Sequence, residues 1–311
     1  MPSILITGGA GYLGSILVPA LLDAGHHVTV VDSFRWGQES LNALCFDPRF
    51  EVVRGDARNT DVVIPLLAKA DYVIPLAALV GAPLCDRDPE AAWSTNYGAI
   101  KGLLEAASPE QRFIFPNTNS GYGVGQPGKE CDEETPLKPI SIYGQTKCAA
   151  ELLVLERRNA VTFRLATVFG ASPRHRTDLL LNEFVWKAVS ERSIVLFQQD
   201  FMRNFCHVRD VARAFLHAID NFEKMRGNTF NVGDSRANMS KRQLCERIKL
   251  QIPNFHFMEA PIAEDPDKRD YIVSNEKMER TGWVPAYSID DGFRELIKLY
   301  QCFRKYQCGN V

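Results

Sequence analysis

Thr7-Gly8-Gly9-Ala10-Gly11-Tyr12-Leu13-Gly14 is the stretch on which the reading of this chain turns. It follows the apolar run Ser3-Ile4-Leu5-Ile6, which reads as a strand, and it opens a helical pattern over about 12–24. Glycines at 8, 11 and 14 let the backbone turn sharply, let N–H groups approach a charged ligand, and let helix and strand pack closely. The positive end of the helix then faces that charge, so the stretch predicts a pyrophosphate cradle formed with Tyr12 and Leu13. The spacing is G-x-x-G-x-x-G rather than G-x-G-x-x-G, and a glycine motif alone is a weak signal. The context strengthens it: Val28-Thr29-Val30-Val31 reads as a second strand, closed by Asp32. A carboxylate there suits a free ribose 2′-hydroxyl and repels a 2′-phosphate, so NAD is expected rather than NADP, even with Arg35 nearby.

Working outward, Phe50-Glu51-Val52-Val53, Tyr72-Val73-Ile74, Phe113-Ile114-Phe115 and Val161-Thr162-Phe163-Arg164-Leu165 read as further strands. Helical patterns lie between them near 60–69, 89–107 and 143–158. Short apolar strands, each followed by a helix, predict an α/β fold with a doubly wound parallel sheet of the Rossmann kind. After about residue 170 the pattern breaks into scattered helices, with loops at Ser172-Pro173-Arg174, Gln251-Ile252-Pro253 and Asp265-Pro266-Asp267. This predicts a smaller mixed α/β substrate lobe. His207 to Phe215 again reads as a buried-sheet helix, so the chain is expected to cross back there. The expected division is 1–170 plus about 204–236 for the NAD-binding domain, and 171–203 plus 237–311 for the substrate lobe. The tail, about 289–306, reads as a closing amphipathic helix. At the cofactor end, Asp56 in Gly55-Asp56-Ala57 could accept from an adenine amine, and small residues in Leu76-Ala77-Ala78 would let a dinucleotide approach.

Composition narrows the function classes. Apolar residues make up 45% and charged residues 24% of the 311, with a net charge of −2, which offers no electrostatic footprint for nucleic acid or an acidic membrane. An anionic ligand must then be caught by a few placed arginines and backbone N–H groups. Eight cysteines occur without a C-x-x-C pair or a histidine cluster at zinc spacing, so no metal is expected and free thiols in a reducing cytoplasm are. The chain opens directly into a strand, and no apolar run approaches the roughly 20 residues of a membrane span.

The chemistry is read from Tyr143-Gly144-Gln145-Thr146-Lys147, which sets a phenol and an ammonium four apart on one helix face. A neighbouring ammonium favours the phenolate and is expected to lower the tyrosine pKa towards neutrality. A tyrosine so tuned can take a proton from a sugar hydroxyl while hydride leaves the same carbon.

With these motifs the sequence resembles the extended short-chain dehydrogenase/reductase family, in its nucleotide-sugar epimerase and dehydratase group. The resemblance spans nearly the whole chain and rests on the glycine loop, Asp32, Gly55-Asp56, Asn96, Thr118, Tyr143 with Lys147, and Gly282-Trp283-Val284-Pro285. It implies that Thr118, four residues before Tyr122-Gly123, bonds the reacting oxygen, and that Asn96 belongs to the cofactor side. Sugar 4,6-dehydratases of this group carry Asp-Glu after the threonine, and 3,5-epimerising members carry a reactive cysteine at the second place. Asn119 and Ser120 stand here instead, which argues against both and leaves redox chemistry at one hydroxyl carbon. The resemblance further implies arginines against a sugar-nucleotide diphosphate at Arg203 and Arg269, and a homodimer through the helices near 89–107 and 143–158. Val80, Asn119, Ser120, Thr167, Arg174, Arg176 and Asn182 complete the expected substrate side, although the family often has Asn where Thr167 stands. Segments 75–85, 116–123 and 264–271 look like a bacterial branch acting on GDP-linked heptose, which gives GDP a weak preference. A 4-epimerase, a 4-dehydrogenase, a 4-ketoreductase and a non-catalytic NAD sensor or partner subunit all stay open at this point.

Overall fold

The computed structural model describes residues 1–126, 128–260 and 269–302. The loop at 265–267, residues 264–268 of the family-like segment and the tail beyond 302 lie outside the described residues.

Fourteen strands are formed among the described residues. Seven make the main sheet: β1 (Ser3–Thr7), β2 (His27–Asp32), β3 (Phe50–Arg54), β4 (Tyr72–Pro75), β5 (Arg112–Thr118), β7 (Ala160–Leu165) and β11 (Asn228–Val232). The other seven are β6 (Glu130–Cys131), β8 (Thr167–Phe169), β9 (Ser193–Leu196), β10 (Met202–His207), β12 (Asn238–Ser240), β13 (His256–Glu259) and β14 (Ile272–Val273). The main sheet runs β11-β7-β5-β4-β1-β2-β3 and every pairing in it is parallel. Its order reverses between β1 and β4, the place where doubly wound sheets open a crevice at their carboxyl ends. The six strands read from the sequence all belong to it. The seventh, β11, is too polar at Asn228, Thr229 and Asn231 to announce itself by apolar periodicity.

Two large apolar cores flank this crevice. One lies against the sheet and the helices Gly14–Asp23 and Val208–Asp220, with Ile4, Leu17, Val211 and Phe215 at its centre. The other joins Phe169, Phe184, Phe205, Leu244, Phe255 and Phe293, around the helices Leu180–Ser190, Lys241–Gln251 and Ile289–Tyr300. β10 straddles them, since Phe205 packs in the second core and Cys206 in the first. Alternate side chains of a strand point to opposite faces, so one strand can tie two cores together. β10 pairs with β8 in parallel and with β12 antiparallel, so the crossing back begins in a second, three-stranded sheet.

A polar clamp closes the joint. Gly170 has φ +112, and a Cβ there would lie 2.6 Å from His207 Nε2, so only glycine fits. His207 Nε2 meets Glu295 Oε2 at 2.8 Å, and Glu295 also accepts from the Ala171 N–H at 3.0 Å and from Arg209 at 3.1 Å. Burial opposes ionisation of Glu295, yet the bonds from His207, Ala171 and Arg209 outweigh it and hold the carboxyl down at about 2. Because folding lowers this pKa from near 4.5, the stabilisation is fully present above that value and is lost as pH falls towards 2. Glu295→Gln is therefore expected to cost about 1–3 kcal/mol at pH 7. The variant and the parent should converge near pH 2 in urea unfolding; an equal gap at both pH values would refute the assignment.

Candidate active site

The carboxyl ends of β1, β2 and β4 form one side of the crevice. The Gly8 N–H donates to Val31 O at 2.7 Å and Leu76 N–H to Thr7 O at 2.8 Å, which locks the glycine loop between the neighbouring strand ends. Gly8 has φ +76, and a Cβ there would sit 2.5 Å from Ala77 N. The space against Leu76-Ala77-Ala78 is thus open only to bare backbone, which fits a dinucleotide pyrophosphate. Gly11 N–H donates to Gly8 O at 3.2 Å, and Gly14 begins the following helix after Leu13. Asp32 closes β2, with Oδ2 accepting from Ala10 N–H at 3.0 Å and Oδ1 from Phe34 N–H at 2.8 Å. Burial raises its carboxyl pKa, against those two bonds and the charge of Arg174.

The chemical side is built on β5 and the helix Ile142–Leu155, capped by Ser141. Thr118 ends β5, and its Oγ1 donates to Ser120 Oγ at 2.9 Å while accepting from Ser120 N–H at 3.1 Å. Ser120 Oγ also accepts from Arg269. The turn Asn119–Tyr122 lies directly against the helix start, since a Cβ on Gly144 would be 3.4 Å from Ser120 O. This sets Tyr143 beside Ser120 and packs its ring against Leu79, Cys85 and Ala92. Lys147, one turn on, is 4% exposed, with its Nζ 4.1 Å from the centre of the Phe115 ring.

The electrostatics differ from the sequence expectation. Burial, with the Cys85 thiol adding to it, pushes the Tyr143 phenol up to about 12, and the opposing cations are Arg176 and Arg269. Burial pulls the Lys147 ammonium down to about 7, against Glu151. Tyr143 is therefore not brought to neutrality by the protein's own groups. Lys147 is buried and Tyr143 half-buried, and loss of water favours the neutral form of each.

Residues 4–233 match the NAD dependent epimerase/dehydratase family. A glycan biosynthesis protein, Agl12 of Haloferax volcanii, is 28% identical over 96% of this chain and 98% of its own length. An uncharacterized UDP-glucose epimerase of Bacillus subtilis, YtcB, is 30% identical over 96% of this chain and 99% of its own. Among solved structures, UDP-glucuronic acid 4-epimerase of Bacillus cereus in complex with UDP-glucuronic acid and NAD superposes with a TM-score of 0.85 at 24% identity. It covers 96% of this chain and 99% of that one.

The chain belongs to the NAD dependent epimerase/dehydratase family.

It is thus an NAD-dependent enzyme of the extended short-chain type. Within this family frame, several site residues take tasks that differ from the expected ones. Asn96 stands in a single π turn, Ser94–Gly98, and its amide is spent on the Leu79 N–H and C=O and on Thr146 Oγ1. It holds the loop after β4 to the Tyr143 helix. Asp56 is clasped by Arg58 at 2.6–3.1 Å through both carboxylate oxygens, and Ala57 follows in a groove against Thr60 and Gly98. Tyr12 donates to Gly170 O at 2.7 Å, so its side chain ties the glycine loop to the joint. Asn182 is wholly buried, accepting from Gly170 N–H and donating to Arg176 O at 2.9 Å, which leaves it a framing role.

Val80 is half-buried on the loop after β4, and Thr167 begins β8 beside β10. Asn119 is 1% exposed with no bonded partner for either amide atom. Arg176 pairs with Asp178 at 2.5 Å and its charge reaches Tyr143. Arg203 lies over the Tyr271 ring at 5.6 Å and donates to Met202 O at 2.9 Å. The structure therefore gathers Thr118, Ser120, Tyr143, Arg176 and Arg269 at one end of the crevice. Sequence reasoning missed Glu151, although its place four residues after Lys147 put it on the same helix face. It also missed Ser15, whose Oγ meets Ser172 Oγ at 2.7 Å across 157 residues of chain, and nothing local signals that pair.

Proposed function

We propose that this enzyme oxidises and reduces a hydroxyl carbon, C4, of a nucleotide-activated sugar, as a 4-epimerase or 4-dehydrogenase in glycan precursor synthesis. The observation that carries the reading is the chain Arg269–Ser120–Thr118 meeting the start of the Tyr143 helix, with Asn119 and Ser120 where elimination would need an acid and a base. NAD, when bound, accepts the hydride, and its positively charged ring adds to the field favouring a phenolate. Thr118 orients the sugar hydroxyl, and Tyr143 takes that hydroxyl's proton as the C–H bond gives up hydride. Lys147, one helix turn on, is assigned to tune the tyrosine. Returning hydride to the other face of the ketone gives an epimer; release of the ketone gives a net dehydrogenase. Arg203 and Arg269 are assigned to the diphosphate, whose oxygens match guanidinium geometry.

The same proposal includes a GDP-linked substrate and a homodimer through the helices Pro89–Trp93, Ala99–Ala106 and Ile142–Leu155. Trp93 and Leu152, 42% and 66% exposed, are apolar side chains that such an interface would cover. A cytoplasmic setting accords with the seven cysteines among the described residues, all free thiols. No helix among the described residues is long and apolar enough to cross a membrane.

The test follows absorbance at 340 nm while the protein meets GDP-, UDP- and dTDP-sugars with excess NAD. Accumulating NADH with one of them identifies a dehydrogenase. A flat trace with a new sugar isomer by NMR identifies an epimerase. Unchanged sugars in all three series, with no NADH, would remove the reading.

A further inference from the structure

Arg174 was expected on the substrate side, but its surroundings lie at the other end of the crevice. Its N–H donates to Ser15 Oγ at 3.3 Å, in the first turn of the helix that follows the glycine loop. Its guanidinium carbon lies 5.9 Å from the centre of the Trp36 ring, in the loop after β2, and NH1 donates to His175 O at 2.7 Å. Its charge also acts on the Asp32 carboxyl. Arg176, two residues on, pairs with Asp178 at 2.5 Å, and its charge acts on both Tyr143 and Tyr12. A guanidinium only 8% exposed is costly to bury unless it meets an acceptor or an aromatic face, and the face here is Trp36.

On this side Arg174 has neighbours that flank the glycine loop: Ser15 in the first turn of the helix, Asp32 at the end of β2, and Trp36 in the loop after it. The segment that carries it is bonded to the glycine loop and the following helix through Gly170 and Ser172, and to the second core as well. Asn182 grips Gly170 and Arg176, Ala171 N–H bonds Glu295, and His175 Nε2 meets Tyr300 Oη at 2.9 Å.

We infer that Arg174 and Trp36 form a latch over the adenosine-pyrophosphate half of NAD, with Arg174 delivered by the 170–176 segment to a cofactor phosphate. This goes beyond the proposed reaction and does not depend on which sugar is used. It makes cofactor retention depend on the 170–176 segment, which is bonded both to the glycine loop and to the second core.

The test measures NAD and ADP-ribose binding by calorimetry, and the NAD carried through purification, for Arg174→Met, Arg174→Lys, Trp36→Leu and Arg176→Met. Arg174→Met is expected to weaken NAD and ADP-ribose by about 10- to 100-fold, the loss of a charge-assisted bond. Arg174→Lys should recover part of that affinity, and Arg176→Met, which removes a guanidinium paired with Asp178, should weaken NAD less than Arg174→Met does. Trp36 is 40% exposed, so Trp36→Leu should fold normally and still bind NAD several-fold more weakly. Binding of UDP and GDP, the substrate-side probes, should be unaltered by Arg174→Met. NAD affinity equal to the parent's in both Arg174→Met and Trp36→Leu would overturn the latch. So would loss of UDP or GDP affinity with NAD binding intact, which would return Arg174 to the substrate.

Discussion

Tyr143→Phe lowers the rate of hydride transfer by about 10²- to 10⁴-fold, the share general acid–base catalysis commonly supplies. The reason lies in what the site lacks besides this phenol. Thr118 and Ser120 have hydroxyls that bond each other and Arg269, and neither can hold a proton's charge near neutral pH. Lys147 is buried, with its ammonium against the Phe115 ring. Phenylalanine keeps the ring that packs on Leu79, Cys85 and Ala92, so the fold and the glycine loop should be undisturbed. NAD binding should accordingly match the parent within about twofold, well under the 1.4 kcal/mol that a tenfold change represents. Single-turnover absorbance at 340 nm, with the nucleotide sugar that the parent oxidises, checks both halves. A variant keeping more than about a tenth of the parental rate would show that another group takes the proton.

Arg164→Met should destabilise the chain by about 3–5 kcal/mol, the usual cost of orphaning one member of a buried pair. Arg164 and Glu151 meet at 3.1 Å with side chains 8% and 1% exposed, so neither charge has water to fall back on. Thr162 Oγ1 donates to Glu151 Oε1 at 3.1 Å, and Arg164 reaches Tyr122 Oη at 3.2 Å and Glu133 O at 3.0 Å. The pair thus fastens the Tyr143 helix to β7 and to the turn that carries Ser120. Removing the guanidinium leaves a carboxylate inside the apolar layer formed by Phe115, Ala150 and Val154. The double variant Glu151→Leu with Arg164→Met removes both charges and should recover most of the loss. Urea unfolding of the three proteins at pH 7 gives the comparison. Equal destabilisation of single and double variants would mean that packing around Arg164, rather than the lone charge, sets the cost.

These two expectations differ in how far they could be read ahead of the structure. Tyr143 and Lys147 were legible because helical spacing puts residues four apart on one face, whatever surrounds the helix. Their protonation was not, because it depends on how much water reaches them. Burial drives the phenol up and the ammonium down, and no spacing reports burial. Glu151 shared the legible spacing, but its partner Arg164 is a strand residue that read simply as part of β7.

What the sequence by itself determined is the set of local choices with their own periodicity or backbone demand. Apolar runs placed six of the seven main strands, Gly8 marked a turn with no room for a side chain, and Asp32 closed the strand beside it. Right-handed crossovers then set the sides on which the helices lie, while the order β11-β7-β5-β4-β1-β2-β3 is a finding of the tertiary structure. The tertiary structure alone decided which polar side chains were free to serve a ligand. Asn96 and Asn182, read on the cofactor and substrate sides, have amides bonded to Leu79, Thr146, Gly170 and Arg176, none of them a sequence neighbour that spacing would name. Arg174 and Arg176 stand two apart in the chain, yet Arg174 faces the Trp36 ring while Arg176 pairs with Asp178. The physical reason is common to all four. A buried polar group takes whatever partner the packing brings within about 3 Å, and those partners come from distant parts of the chain.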